Sequence, residues 1–348
     1  MTKPKSVPQR SVARRRHASI EVQIRRGDMV ESEHAVAACV VDSAGETVAA
    51  YGEVERAVYP RSTIKPLLAM PLLETGAAAA FALNDEEIAL ACASHTGEPV
   101  HLRIAETWLG RLDLDIDALA CGLHFPYDEF AAREVLAHDG APSSLHNNCS
   151  GKPLGMLTTA LHCGDPVMGY EKMDHPVQQR VRRPLADLLN RDLAAAPTAI
   201  DGCSIPTIAV SLHDIAAMMA QLLADHSARP QRAAASRRIV RVMAEHPDLI
   251  TGSGRFCTDI TRATAGDIVV KSGAEGVAIA LLRDQGMAIA VKSLDGARRD
   301  AEAAMATLVP VFAPVTGTAT AAFARYAAPA IENWRGVRTG AIQVVLAN

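Results

Sequence analysis

Aromatic residues are scarce in this chain of 348 residues: they make up 4% of it, whereas 49% of the residues are hydrophobic. We therefore expect an aliphatic core that is rich in helices. An excess of positive charge is also lacking, since the net charge is −4 and the isoelectric point is near 6.3. These values argue against a protein that binds nucleic acid. No apolar run approaches the ~20 residues that a membrane-spanning helix needs, so we expect no membrane partner.

The seven cysteines are odd in number and widely spread, at positions 39, 92, 121, 149, 163, 203 and 257. Such spacing predicts free, catalytic or metal-bound thiols in a cytoplasmic protein, not a disulfide framework. The first 17 residues are basic and polar, and no apolar segment follows them, so we expect no secretory signal. We predict a disordered basic arm over residues 1–18 and a cytoplasmic location.

Strand patterns lie near both ends of the chain, and helical patterns fill the middle. Two β-prone segments on either side of Gly45 predict a hairpin, and Gln285-Gly286 supplies turn chemistry for another. The predicted strands are Ile20–Ile24, Ala35–Val41, Thr47–Tyr51, Asp267–Lys271, Gly276–Leu282, Gly286–Val291 and Val337–Leu346. The predicted helices are 62–75, 99–111, 129–137, 153–163, 174–194, 207–225, 231–245 and 296–311.

This order of elements predicts an α+β fold. We expect one antiparallel sheet built from both termini, with flanking helices and an inserted helical lobe. The predicted catalytic unit is a single globular body over residues 19–348. Its sheet layer takes residues 19–60 and 265–348, and its helical lobe takes residues 61–264.

The stretch Arg61–Lys65 places a serine and a lysine three residues apart. In the first turn of a helix, that spacing puts Ser62 and Lys65 on one face. A serine hydroxyl is a poor nucleophile unless a base takes its proton, and a desolvated lysine amine is such a base. Pro60 favours a helix start, where no amide donor is needed. The motif indicates a nucleophile and its base, although an ordinary solvated helix start has the same short pattern.

The loop Cys92–Glu98 crowds serine, histidine, threonine and glutamate around a glycine. Such a loop can aim several hydrogen-bonding groups at one ligand. A polar turn before a helix at Pro99 explains the same residue types equally well.

A second polar cluster, His146–Pro153, places Cys149 three residues before Lys152. A thiolate beside an ammonium group is stabilised and reactive, and the same pair can instead hold a metal if the amine is neutral. Cys203, in the turn Asp201–Pro206, offers another sulfur of the kind that zinc prefers. Residue types alone favour buried free thiols over either site.

Lys271, Ser272 and Gly273 end a predicted strand. The lysine supplies positive charge for a substrate carboxylate, and the glycine lets a substrate approach the strand edge. A Ser-x-x-Lys motif followed by such a strand resembles the pattern of penicillin-binding proteins and class A β-lactamases. Two motifs in the right order favour acyl transfer, although the Ser-Asp-Asn motif of those enzymes is absent from the sequence.

Five blocks in order resemble the signature blocks of the rhizobial-type L-asparaginases, also called class 3 or asparaginase II. The blocks are Arg61–Pro66, Cys92–Glu98, His146–Lys152, Asp201–Pro206 and Lys271–Gly276. The resemblance begins near Glu21 and covers the rest of the chain. It implies a fold similar to serine β-lactamases and glutaminases, usually as a homodimer. It also implies hydrolysis of the side-chain amide of L-asparagine to L-aspartate and ammonia.

The resemblance assigns roles by motif. Ser62 resembles the nucleophile and Lys65 its base, while Ser94 and Lys271 resemble a second serine–lysine pair in the same pocket. The residues that we expect to bind the substrate are Arg61, His95, Glu98, Asn148, Asp201 and Gly273.

The resemblance further implies a zinc ion, Zn²⁺, beside the substrate, with Cys149, Lys152 and Cys203 as its ligands. One position departs from the family block, which usually has a histidine where Pro153 stands here. A proline also biases the preceding residue, Lys152, away from helical dihedrals. Two alternatives therefore stay open. One is another amidohydrolase on the same scaffold, a glutaminase or a β-lactamase-like acylase; the other is a catalytically silent protein that binds zinc or a ligand.

Overall fold

The computed structural model describes residues 15–138 and 140–346. The strands are β1 (Arg15–His17), β2 (Ile20–Arg26), β3 (Met29–Asp42), β4 (Thr47–Tyr51), β5 (Ala57–Val58), β6 (Thr198–Ile200), β7 (Pro206–Ile208), β8 (Val210–Ser211), β9 (Ile268–Ser272), β10 (Val277–Leu282), β11 (Met287–Ser293), β12 (Ala330–Glu332) and β13 (Arg338–Val345).

The α-helices lie mostly between β5 and β9. They are α1 (Lys65–Leu68), α2 (Met70–Glu74), α3 (Ala77–Ala80), α4 (Asp85–Ala91), α5 (Pro99–Arg111), α6 (Glu129–Ala137), α7 (Gly151–Cys163), α8 (Pro176–Leu189), α9 (Leu212–Ala220), α10 (Pro230–Glu245), α11 (Pro247–Thr251), α12 (Phe256–Ala263), α13 (Arg298–Phe312) and α14 (Thr318–Ala327). Short 3-10 turns lie at Arg61–Ile64, Ile116–Ala118, Ser144–His146 and Gln221–Leu223.

One sheet is built from both ends of the chain. Its path runs β12-β13-β2-β3-β11-β10-β9, and each neighbouring pair on this path is antiparallel. β4 pairs antiparallel with β3 and parallel with β1. The predicted α+β fold with an antiparallel sheet from both termini is therefore confirmed. Both predicted hairpins, β3–β4 and β10–β11, are also confirmed.

The sheet has a hydrophobic core on each face. Cys39 and Val41 of β3 belong to the core shared with the helical lobe, whereas Ala38 and Val40 belong to the core shared with α12, α13 and α14. Successive side chains of a strand point to opposite faces, so a strand between two cores is buried throughout, as β10 is. Alanine, valine, isoleucine and leucine dominate both cores, which agrees with the scarcity of aromatic residues.

The predicted helix at residues 62–75 is broken into three parts. The 3-10 turn Arg61–Ile64 leads into α1, and α2 begins after Ala69. Pro66 and Pro71 have no amide hydrogen, so they interrupt the hydrogen-bond ladder of a continuous helix.

The predicted helix at residues 207–225 is wrong over its first residues, because β7 and β8 occupy them. α9 begins only at Leu212. Ser211 sets this start, since its hydroxyl accepts the amide of Asp214 while the Asp214 carboxylate accepts the amide of Ser211. This reciprocal pair is a capping box, a strong helix start.

Most of the predicted disordered arm, residues 1–14, lies outside the described residues. Residues Arg15–His17 form β1, and Arg16 lies opposite Ala50 of β4. Among the described helices, none combines the length and the apolar character that crossing a membrane requires.

Candidate active site

A polar cavity of ≈ 390 Å³ lies where the end of β9 meets the helical lobe. Its volume falls in the range of small-molecule sites. Four residues predicted from the motifs line it, namely Ser62, Ser94, Asn148 and Gly273. The other lining residues are Thr96, Tyr127, Thr251, Arg255, Ser272, Ala274, Glu275 and Arg298.

Ser62 lies in a tight turn against the end of β9. The preceding residue, Arg61, has a left-handed φ of 52°, which is uncommon for a residue with a side chain. Gly273 approaches so closely that a Cβ there would lie 3.3 Å from the Ser62 amide nitrogen and 3.2 Å from the Thr63 side chain. Within the described residues the Ser62 hydroxyl has no hydrogen-bond partner, so it is available to a ligand in the cavity.

Ser94 is the serine that both buried lysines reach. Lys65 Nζ lies 3.0 Å from Ser94 Oγ, and Lys271 Nζ lies 2.9 Å from the same oxygen. The backbone holds this loop in place, because the Ser94 amide donates to the carbonyl of Ile250 over 2.8 Å. The structure therefore brings together Ser94 and Lys271. The amine of Lys65 forms a hydrogen bond with Ser94 and not with Ser62.

The two lysine amines have different surroundings. Burial, together with the smaller effect of the Lys65 charge, lowers the pKa of Lys271 to about 7. The Lys271 amine also donates to the Ser272 carbonyl over 2.7 Å. Lys65 Nζ donates to the carbonyl of Ala93 and lies 3.2 Å from Cys149 Sγ. A hydroxyl beside an amine that loses its proton near neutral pH is a general-base arrangement.

Cys149, Lys152 and Cys203 meet in a buried group that we call the thiol cluster. Lys152 Nζ donates to Cys203 Sγ over 2.8 Å, and the two thiols share a hydrogen bond. That hydrogen bond, together with the charges of Lys65 and Lys152, lowers the pKa of Cys149 well below its usual value. The same hydrogen bond and burial raise the pKa of Cys203. Cys149 therefore favours the thiolate form.

Pro153 does not disturb the backbone of the thiol cluster. α7 begins at Gly151, so Pro153 is its third residue, where an amide has no partner inside the helix. Lys152 is helical, and its amide donates to the Cys149 carbonyl over 2.9 Å. The expectation that Pro153 biases Lys152 away from helical dihedrals is wrong, because a helix tolerates proline in its first turn.

Arg61 and Asp201 form an ion pair beside the thiol cluster, with Arg61 Nε 2.8 Å from Asp201 Oδ1. Together with Lys152 they line a second cavity of ≈ 20 Å³, not the main one. Burial opposes ionisation of Asp201, but Lys152, the Gly202 amide and Arg61 outweigh it and lower the pKa of the carboxyl. The charged pair links the turn that carries Ser62 to the thiol cluster.

His95 and Glu98 lie behind the main cavity and do not line it in the described chain. His95 is completely buried, with Nε2 2.9 Å from the hydroxyl of Ser150. Glu98 accepts the amide of Ser253 over 2.7 Å and the hydroxyl of the same residue over 3.0 Å. Both side chains therefore hold the loop Cys92–Glu98 against its neighbours.

The two arginines of the cavity are not among the site residues that the sequence predicts. Arg255 precedes the first residue of α12, and Arg298 is the first residue of α13. Both lie outside the five blocks. Glu275 does lie within a block, Lys271–Gly276, where the surrounding glycines signal a turn that presents its side chain.

A separate cluster of side chains that can bind a metal, the His34 cluster, consists of His34, Asp295 and Asp300 and lies next to the loop that leads to Arg298. His34 Nδ1 lies 2.5 Å from Asp295 Oδ2 and 3.0 Å from Asp300 Oδ2. Asp300 is completely buried, and its Oδ1 has no hydrogen-bond partner in the described part of the chain. The three ligand atoms lie within 4.8 Å of one another, which is compact enough for a metal ion. Apart from that oxygen of Asp300, the same groups contact one another as an ion-paired cluster without a metal, and no motif in the sequence indicates them.

The fold and the main cavity together define a class of protein. An α+β scaffold that holds a serine hydroxyl between two buried lysine amines has the groups required for covalent hydrolysis. Comparison with known protein families matches residues 22–344 to L-asparaginase II. The chain belongs to the L-asparaginase II family, which confirms the resemblance seen in the five blocks. It is therefore an asparaginase-like amidohydrolase that acts on a small molecule.

Two other comparisons add little. None of the curated proteins matches the chain. Among solved structures, a β-lactamase from Mycobacterium bovis is similar over 84% of this chain and 94% of that chain, with 15% identity and a TM-score of 0.39. A similarity of that level carries no argument about function.

Proposed function

We propose that the protein hydrolyses the side-chain amide of L-asparagine to L-aspartate and ammonia by a serine–lysine mechanism. The observation that carries the proposal is the position of Ser94 Oγ, 3.0 Å and 2.9 Å from the amines of Lys65 and Lys271. Ser94 lies in the wall of the cavity that Ser62 also lines. Membership of the L-asparaginase II family supports amide hydrolysis as the chemistry.

Ser62 is the nucleophile in this proposal. Its hydroxyl faces the cavity and is free of hydrogen bonds within residues 15–138 and 140–346. It lies at the start of the turn Arg61–Ile64, and the first amides of a helical turn have no partner inside it. Such amides suit an oxyanion hole, in which one donor is worth ~3 kcal/mol.

The proton path uses Ser94 and the two lysines. The Ser62 oxygen forms a bond to the amide carbon, and its proton passes through Ser94 to a neutral lysine amine. That proton leaves with the amide nitrogen as ammonia when the carbon–nitrogen bond breaks. Water then attacks the ester carbon, the amines accept its proton, and the Ser62 oxygen regains a proton as aspartate leaves.

We also propose zinc binding by the thiol cluster. The donor set fits, because two sulfur atoms and one nitrogen already meet in a buried site. Lys152 must bind as a neutral amine; burial favours that form, but the neighbouring thiols outweigh burial and raise the pKa of Lys152. When bound, zinc would supply Lewis-acid polarisation of the substrate beside the cavity.

The proposal includes a cytoplasmic homodimer, as the family resemblance implies. All seven cysteines are free thiols, which suits a reducing compartment. Exposed apolar side chains on the segment 123–136 offer a surface for a second copy, among them Phe125, Phe130 and Leu136. Light scattering coupled to size-exclusion chromatography distinguishes a dimer from a monomer.

The test of the proposed function is release of ammonia by purified protein, measured with L-asparagine and L-glutamine in parallel, with and without added zinc. Nitrocefin turnover is measured on the same preparation. Faster release from asparagine, without nitrocefin turnover, supports the proposal. Faster release from glutamine makes the protein a glutaminase, and nitrocefin turnover makes it a β-lactamase-like acylase. No turnover of any of the three indicates a silent binding protein.

A further inference from the structure

Three charged residues stand out among the neutral side chains that line the main cavity. They are Arg255, Glu275 and Arg298, and the other lining residues are small or hydroxyl-bearing, apart from Tyr127 and Asn148. Charged groups in a cavity wall fix the orientation of a polar ligand. Two guanidinium groups and one carboxylate therefore suit a ligand that carries both signs of charge.

Ion pairs within the protein leave most of these charged groups available to a ligand. In the described part of the chain, neither Arg255 nor Glu275 has an ion-pair partner within 4.0 Å, and an Arg255 nitrogen donates to the carbonyl of Tyr127 over 3.0 Å. Arg298 pairs through Nε with Glu302 over 2.7 Å. A guanidinium group has five N–H donors, so most donors of Arg298 remain for a ligand.

The backbone of Glu275 is held in an uncommon conformation. Its φ is +59°, in the left-handed region that a residue with a side chain rarely adopts. The turn is tied down on both sides of it, because Lys292 Nζ donates to the Glu275 carbonyl over 2.7 Å and the Ser293 amide donates to the Gly276 carbonyl over 2.9 Å. Such strain concentrates at ligand-binding sites, where the surroundings maintain it.

The loop that leads to Arg298 lies directly against Glu275. A Cβ at Gly296 would lie 2.8 Å from the Glu275 carboxylate. Asp295 fixes this loop, because its Oδ1 accepts the Ala297 amide over 2.9 Å and its Oδ2 lies 2.5 Å from His34 Nδ1. The His34 cluster described above thus supports the start of α13, and with it the side chain of Arg298.

We propose that Glu275 binds the α-ammonium group of the substrate and that Arg255 and Arg298 bind its α-carboxylate. This inference rests on the proposed function and specifies its substrate as a free α-amino acid. The side-chain amide then extends toward Ser62 and Ser94 in the same cavity. Peptides, and asparagine with a blocked α-group, are excluded because they lack one of the two charges.

Substrate analogues that lack one charge test each contact separately. Succinamic acid is asparagine without its α-ammonium group, and 3-aminopropanamide is asparagine without its α-carboxylate. The variants Glu275→Gln, Arg255→Met and Arg298→Met are assayed for kcat/KM on L-asparagine and on both analogues. The matched controls are Glu86→Gln and Arg103→Met, because these residues pair with each other on the surface, away from the cavity.

A charge-assisted contact is worth ~1.5–3 kcal/mol, so its loss costs about 10- to 100-fold in kcat/KM. We expect Glu275→Gln to lose that factor on L-asparagine and less than about 3-fold on succinamic acid, which never makes the contact. Arg255→Met and Arg298→Met should show the same loss of about 10- to 100-fold in kcat/KM on L-asparagine and succinamic acid but not on 3-aminopropanamide. The ratio of two substrates on one preparation is independent of how much of a variant has folded.

Equal losses on all three substrates, or no loss on L-asparagine, would overturn the assignment of these residues. That result would leave the proposed function intact if the wild-type protein still hydrolyses L-asparagine. Absence of asparagine turnover by the wild-type protein would instead remove the proposed function itself.

Discussion

Replacing Lys271 by methionine should lower activity and change stability in a pH-dependent way. The side chain is completely buried, and its pKa of about 7 in the folded chain compares with an ordinary value of 10.5. Between these pH values the unfolded chain binds more protons, so the free energy of unfolding of the wild type rises with pH. The cost of burying this amine amounts to ~4 kcal/mol at pH 7 and falls to ~1 kcal/mol at pH 9.5.

Lys271→Met removes that cost but leaves the Ser272 carbonyl without the donor that now lies 2.7 Å away. An orphaned buried acceptor costs ~1–3 kcal/mol. The variant should therefore be more stable than the wild type by ~1–3 kcal/mol at pH 7, and equal or less stable at pH 9.5. Loss of a positioned base should reduce kcat/KM for L-asparagine by ~100-fold or more.

Urea unfolding at pH 7 and pH 9.5, with ammonia release as the activity assay, measures both effects. Lys172→Met is the control, because Lys172 is exposed and should show neither effect. If Lys271→Met shifts the free energy of unfolding by the same amount at both pH values, the amine is not neutralised by folding and the reasoning fails. Unchanged activity would remove Lys271 from the mechanism.

The pH dependence of activity, zinc retention and the packing of Gly151 can each be measured. The kcat/KM for L-asparagine should rise with pH through about 7, as Lys271 loses its proton; a flat profile between pH 5 and 8 contradicts this. After dialysis against zinc at pH 8, elemental analysis should find the metal retained by the wild-type protein and mostly lost from Cys203→Ser. Equal retention by the two proteins would show that the thiol cluster is not the zinc site. Gly151→Ala should lower the free energy of unfolding by ~1–3 kcal/mol or more through overpacking, because its Cβ would lie 2.1 Å from the Leu90 carbonyl. An unchanged urea midpoint would contradict that close approach.

Much of the fold follows from local patterns. The β-prone segments on either side of Gly45 and the turn at Gln285-Gly286 predict hairpins that the structure contains. Helix boundaries are harder to predict, because one cap or one proline decides them. Ser211 delays the start of α9, and Pro66 breaks a helix that apolar spacing alone extends to residue 75.

The candidate site could be predicted as a set of blocks but not as a set of contacts. Motif spacing pairs Ser62 with Lys65, whereas the fold places the Lys65 amine beside Ser94, 29 residues away in sequence. None of the five blocks contains Arg255 or Arg298, and only the packing of α12 and α13 against the sheet brings them to the cavity. Long-range contacts of this kind depend on the whole chain, so no local pattern indicates them.

Detection of an acyl-enzyme intermediate shows directly whether Ser62 is the nucleophile. L-Asparagine is mixed with the protein, the reaction is quenched in acid, and peptides are analysed by mass spectrometry. We expect an aspartyl ester on the peptide that contains Ser62, with no adduct and no ammonia release in Ser62→Ala. An adduct on the Ser94 peptide, or full turnover by Ser62→Ala, would show that Ser62 is not the nucleophile.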